Sequence, residues 1–207
     1  MLYFSTTLKG KNMVSFLLFV LILIIVVAVI LAVLYNRLIA ARNAFKNAFS
    51  QIDVQLTRRY DLIPNLVESV KAYLKHEHET LTEVAQARSA AAGELKSAAG
   101  APGDATLMQH LSQADSALTS SLGRLMLVVE AYPDLKASQN ITQFTEELAS
   151  TENRIAFARQ AYNDEVMSYN TMAQSFPTNF VAGMFGFQSA ALLEAESGKR
   201  EAPKVQF

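Results

Sequence analysis

Cysteine and tryptophan are both absent from this chain of 207 residues. Without cysteine there is no disulfide, no thiolate nucleophile and no Cys-ligated metal. Histidine is nearly absent too, with three residues, His76, His78 and His110. Glycine and proline are few and localised, 8 and 5 residues. Between Tyr35 and Pro177 the prolines are Pro64, Pro102 and Pro133, and the clearest break in the polar part is Ser97 to Asp104, which reads SAAGAPGD. An excess of positive charge is lacking as well. Once Lys9 and Lys11 are set aside, 16 basic residues face 19 acidic ones. That balance argues against nucleic acid as a partner, because such binding rests on a basic surface.

What is present begins with one long apolar run. Val14 to Leu34, VSFLLFVLILIIVVAVILAVL, is twenty-one residues without a charge. As a helix it extends about 31 Å, enough for a hydrocarbon core of roughly 30 Å. A signal peptide has a shorter apolar core and a small-x-small cleavage site; here Leu38 stands where a small residue is wanted. The run is apolar on every face, which excludes an amphipathic core helix. The expectation is an uncleaved transmembrane helix over residues 14–35 behind a polar flank, 1–13. Lys9 and Lys11 before it and Arg37, Arg42 and Lys46 after it leave orientation undecided by charge.

After the span, apolar residues recur at three and four positions, a helical period with no strand signal. Leu38, Phe45, Phe49, Ile52 and Leu56 make one stripe; Leu66, Val70, Leu74, Leu81 and Val84 continue it. Leu107, Leu111, Ala114, Leu118, Leu125 and Val128 form a second stripe. Ile141, Phe144, Leu148, Ile155, Ala158, Tyr162, Val166 and Tyr169 form a third. Asp104 and Asn140 are candidate N-caps. Pro64 leaves two readings. Either Asp61 caps a new helix with Pro64 in its first turn, giving helices near 36–60, 62–98, 104–131 and 138–176, or a single long helix is kinked near Pro64 and only three helices exist. The fold expected is all-α, a single transmembrane helix and then a four-helix up-and-down antiparallel bundle over 36–177. Residues 178–190 make an apolar segment rich in Phe and Gly, and 191–207 a polar, disordered tail.

Catalytic and cofactor constellations are not found. His76 and His78 lie about 200° apart on a helix and cannot share a metal there, so His76-Glu77-His78-Glu79 reads as a solvated charge run. No Glu-x-x-His, Gly-x-Ser-x-Gly or glycine-rich phosphate loop occurs. The expectation is a protein that is not an enzyme and carries no cofactor or metal. Polar side chains at bundle-like spacing stand out instead. They are Arg58, Arg59, Tyr60 and Asp61 before Pro64 and Asn65, and Glu152, Asn153 and Arg154 before Arg159, Tyr162 and Asn163. Glu152 and Arg159 are seven apart and share a face, as do Asn163 and Asn170. They read as ion pairs and amide bonds that fix helix register, or as a docking surface. Phe180, Met184, Phe185 and Phe187 either enter the membrane interface or cap the bundle end.

The same residues carry a resemblance. SQIDVQLTRRYDLIPNLVESVKAYLKHE (50–77), VEAYPDLKASQN (129–140), ELASTENRIAFARQAYNDEVMSYN (147–170) and the ending from Phe176-Pro177 to Phe185-Gly186-Phe187 resemble the LemA family. The resemblance implies one span followed by a four-helix bundle, supports the helix break at Pro64, brings no catalytic residues, and favours a bundle outside the cytoplasm of a bacterial cell. The function expected is structural or scaffolding work at the cell envelope, with membrane lipid, further copies of the chain and other envelope proteins as partners. The competing expectation is a membrane-tethered signalling adaptor for a protease or kinase.

Overall fold

The computed structural model describes residues 3–71, 73–74, 77–136 and 138–194. Among them every regular element is helical: α1 (Tyr3–Lys71), α2 (His78–Gly100), α3 (Ala105–Ala131), α4 (Pro133–Lys136), α5 (Gln139–Gln174) and α6 (Thr178–Phe185). The chain divides into two units. One takes the described residues to Ala40 together with Thr171–Gln188; the other takes Ala41–Asn170 and the described residues from Ser189 on.

In the first unit α1 holds the one stretch, among the described residues, long and apolar enough to cross a membrane, and no residue of its most apolar window is buried. Phe16, Phe19, Ile22 and Ile24 are all more than half exposed. Besides the last turn of α5, the other part of this unit is α6. It closes on Gly186 in the left-handed region, φ +69°, with Phe187 N–H donating to the Ala182 carbonyl. Glycine supplies this C-terminal conformation without a Cβ penalty.

The second unit is the bundle. Phe45, Phe49, Ile52, Leu56, Ile63 and Leu66 of α1 are buried, and the rings of Phe45 and Phe49 meet Tyr162 of α5 at 6.4 and 5.7 Å. The α2–α3 turn is capped as expected: the Asp104 side chain accepts from Leu107 N–H at 3.0 Å. Asn140, in contrast, lies inside α5, which begins at Gln139.

Pro64 does not break the chain into helices 36–60 and 62–98. Helix α1 runs through it to Lys71, and the break falls between Lys71 and His78. Proline has no N–H, so the Tyr60 carbonyl four residues earlier loses its helical donor. Arg88 of α2 supplies the replacement: its Nε–H donates to the Tyr60 carbonyl at 3.0 Å. Ile63, Leu66 and Val70, all buried, hold the helix beyond the proline. The real break escapes the periodicity because Leu74 and Leu81 are seven residues apart, a whole number of turns, so the stripe keeps its phase across the gap.

Arg88→Ala is therefore expected to destabilise the chain by about 1–2 kcal/mol by leaving a carbonyl unsatisfied. In a Pro64→Ala background the same substitution is expected to cost less than half as much, since the introduced alanine restores the N–H donor. A thermal-unfolding double-mutant cycle on detergent-solubilised protein measures the coupling; equal costs in both backgrounds contradict the pairing.

Candidate functional site

The predicted polar residues separate into two working sets and a remainder. The first set converges on a residue that pattern reading missed. Asp115 of α3 is 3% exposed and sits among groups from α1 and α5. Arg59 Nη1 lies 3.4 Å from Asp115 Oδ1, and Arg159 Nη2 donates to Oδ2 at 2.5 Å. The Tyr60 hydroxyl approaches Oδ1 at 3.5 Å. Arg59, itself 4% exposed, also donates to Thr119 Oγ1 at 2.9 Å and stands 3.3 Å from Glu152 Oε2. Two guanidinium groups thus face two carboxylates. A buried carboxylate demands such compensation, and removing one partner of a buried pair typically costs about 3–5 kcal/mol. The cluster fixes the register of α1, α3 and α5. A signal for Asp115 existed: Met108, Asp115, Leu122 and Val129 are all buried at seven-residue spacing, so a heptad reading places the carboxylate in the core. Leu107, Ala114 and Val128, expected at the centre of that stripe, lie on its half-buried flanks.

The second set holds an extended segment that follows α6. Asn170 accepts from Ala190 N–H and donates to the Ala190 carbonyl, both at 2.9 Å. Asn163 does the same with Leu193, accepting at 2.9 Å and donating at 3.2 Å. The Tyr162 hydroxyl donates to the Ala191 carbonyl at 2.8 Å, and Ala191 N–H donates to the Gly103 carbonyl at 2.8 Å. Ser112 Oγ donates to the Glu194 carbonyl at 2.9 Å. Leu193 is fully buried. Gly103 has φ +93°, and a Cβ there would come within 2.9 Å of the Ala190 methyl, so glycine is required on both counts. The expected tail thus begins with residues 191–194, three of which, Ala191, Leu193 and Glu194, are tied down through their main chain; the remainder of it, 195–207, lies outside the described residues.

Arg58, Asp61, Pro64, Asn65, Asn153 and Arg154 join neither set and are exposed. Asp61 stands 3.9 Å from Arg88. Tyr60, Asp61 and Arg88 line a groove of about 280 Å³ with Asp53, Thr57 and Lys96. His78 opens α2 on the surface, and His76 lies outside the described residues.

At the apolar unit the aromatic ending has a defined place. Phe185 and Phe187 stand 4.8 and 5.7 Å from the ring of Tyr35, the residue directly after the apolar run. Leu31, Ala32, Tyr35, Asn36, Met184 and Phe185 enclose a groove of about 240 Å³. Helix α6 buries its small side chains, Thr178, Val181 and Ala182, and turns Phe180, Met184 and Phe185 outward at 66, 69 and 55% exposure. Phe187 is half-buried.

Burial pushes the Tyr162 phenol up to about 12. Tyr60 is raised as well, by burial first and by the Asp115 charge second. The folded chain then keeps protons that the unfolded chain releases above about pH 10. This contribution to stability is complete below pH 10 and is lost as pH climbs toward 12, with a slope of about 1.4 kcal/mol per pH unit for each tyrosine. Alkaline titration followed by helical circular dichroism is expected to show steep unfolding in that window, and Tyr162→Phe is expected to make it shallower.

No curated protein matches the chain. A family model described as the LemA family matches residues 48–207, which contain the ionic cluster, the extended segment with its clamps and the aromatic ending. An N-terminal apolar helix and an otherwise helical chain fit a membrane-anchored protein, and the chain belongs to the LemA family.

Proposed function

We propose that this chain is a single-pass, membrane-anchored structural protein of the bacterial cytoplasmic membrane, whose bundle stands outside the cytoplasm and self-associates as a non-catalytic scaffold. One observation carries the reading. The exposed aromatic face of α6 lies against the end of the exposed apolar run, through the contact of Phe185 with Tyr35 at 4.8 Å. Large apolar side chains left open on a folded surface mark a lipid or protein contact. Here they occur at the level where a spanning helix passes from hydrocarbon to headgroup. That zone favours Tyr and Phe, whose rings bury apolar area without reaching the bilayer centre. Anchor and α6 then form one lipid-facing body, two attachments in place of one.

The polar residues support a structural role. Arg59, Tyr60 and Arg159 gather round buried Asp115, and Glu152 pairs with Arg59 from the surface, so the charges of the set are matched among themselves. This is the arrangement of a register lock between α1, α3 and α5.

Because the chain has no native cysteine, a single fluorophore at Phe180→Cys reports on α6 alone. In vesicles the label is expected to be quenched by lipids carrying a nitroxide near the headgroup and shielded from aqueous iodide; the opposite pattern contradicts the interfacial reading. Native mass measurement of the full chain in detergent is expected to give a defined homo-oligomer. A monomer bound stoichiometrically to one other protein would favour the adaptor function instead.

A further inference from the structure

The clamps around residues 190–194 have a common property: every polar contact reaches main chain. Seven groups are bound, the N–H and carbonyl of Ala190, Ala191 and Leu193 and the carbonyl of Glu194. One side chain, Leu193, is fully buried. The two asparagines are spaced to suit this. Seven helical residues advance about 10.5 Å, and three extended residues advance about 10 Å. Asn170 and Asn163, seven apart on α5, therefore meet residues 190 and 193, three apart on a segment running the other way. Each side-chain amide makes two bonds, to the N–H and the carbonyl of one residue. Such a site reads the presence of an extended backbone and an apolar anchor, and little else. It is an extended-peptide groove, built by α5, α3 and the α2–α3 turn, with a segment of its own chain as the occupant.

We propose that this groove is a self-association site, in which residues 189–194 of one copy are exchanged for the same segment of a second copy. The proposal deepens the scaffold reading and rests on the self-association stated there. The identical segment from a neighbour meets identical donors, acceptors and the identical leucine socket, so exchange loses none of the seven contacts. Exchange of an identical element is a low-cost route to oligomers. The segment lies outside any helix, so its transfer unwinds no regular element. Copies held in one bilayer meet at high effective concentration, which favours exchange over dissociation.

The cysteine-free chain allows a direct test with full-length protein in vesicles. Ser112→Cys and Glu194→Cys mark the two sides of a contact in which the serine hydroxyl and the carbonyl are 2.9 Å apart. A chain carrying both is expected to close on itself with a short bismaleimide. Chains carrying one each, mixed in the same vesicles, are expected to give a cross-linked dimer. Leu193→Asp in the Glu194→Cys chain leaves residues 41–170 untouched and is expected to reduce that dimer about tenfold, as is Asn163→Ala with Asn170→Ala, both checked for retained helicity. Failure of the double-cysteine chain to close overturns the assignment of the groove. Closure without any mixed dimer overturns the exchange, and so does a mixed dimer indifferent to Leu193. If the native mass remains oligomeric while the exchange fails, the scaffold reading stands and this mechanism for it falls.

Discussion

A carboxylate in an apolar core has to be neutralised by its neighbours, and Asp115 sets the terms for the bundle. Its two oxygens take Arg59 from α1 and Arg159 from α5, and its backbone carbonyl takes the Thr119 hydroxyl. A hydrophobic core of leucines tolerates sliding by one turn, because one apolar contact resembles the next. Charge pairs do not tolerate it. A shift of one turn would separate a guanidinium from its partner by about 5 Å and leave both ions stranded. Three helices are thereby held in a single axial alignment. The same alignment sets α5 against α3 and the α2–α3 turn, and so builds the groove in which Asn163, Asn170, Ser112 and Gly103 face one extended segment.

The helical class, the apolar anchor and the turn at Ser97 to Asp104 are legible in the sequence because each rests on local signals: period, length, and Gly/Pro chemistry. The helix break after Lys71 is not. A seven-residue gap between Leu74 and Leu81 keeps the apolar stripe in phase, while Pro64 offers a louder and misleading signal. What overrides that signal is tertiary, the Arg88 bond to Tyr60. The ionic cluster is half visible. Glu152 and Arg159 are paired by spacing, and Arg59 and Tyr60 stand out by composition, but Asp115 is hidden because the apolar residues of α3 draw the stripe one residue off. Tyr162, Asn163 and Asn170 stand out through their repeated Tyr-Asn pairing. Their ligand is illegible, because it is main chain and leaves no pattern in the residue types of 190–194.

The apolar unit follows a different logic from the bundle. Its side chains outward from α1 and α6 are large and unburied within the chain, so its solvent is the surrounding medium and no interior. The bundle is fastened by polar pairs that exclude water; the anchor is suited to exchanging water for lipid. Both properties are encoded in one long helix, α1, whose uncharged apolar run from Val14 to Leu34 gives way to an amphipathic pattern.

The bond between Arg88 and the Tyr60 carbonyl carries an implication for biosynthesis. Residues up to Lys71 leave the ribosome before Arg88 does, and until α2 packs, the helix has a missing rung at Pro64 with its partner not yet in place. In that interval α1 has a weak joint at Pro64. Only when α2 folds back does the joint stiffen, so that the rigidity of the first helix is conferred by a part of the chain synthesised after it.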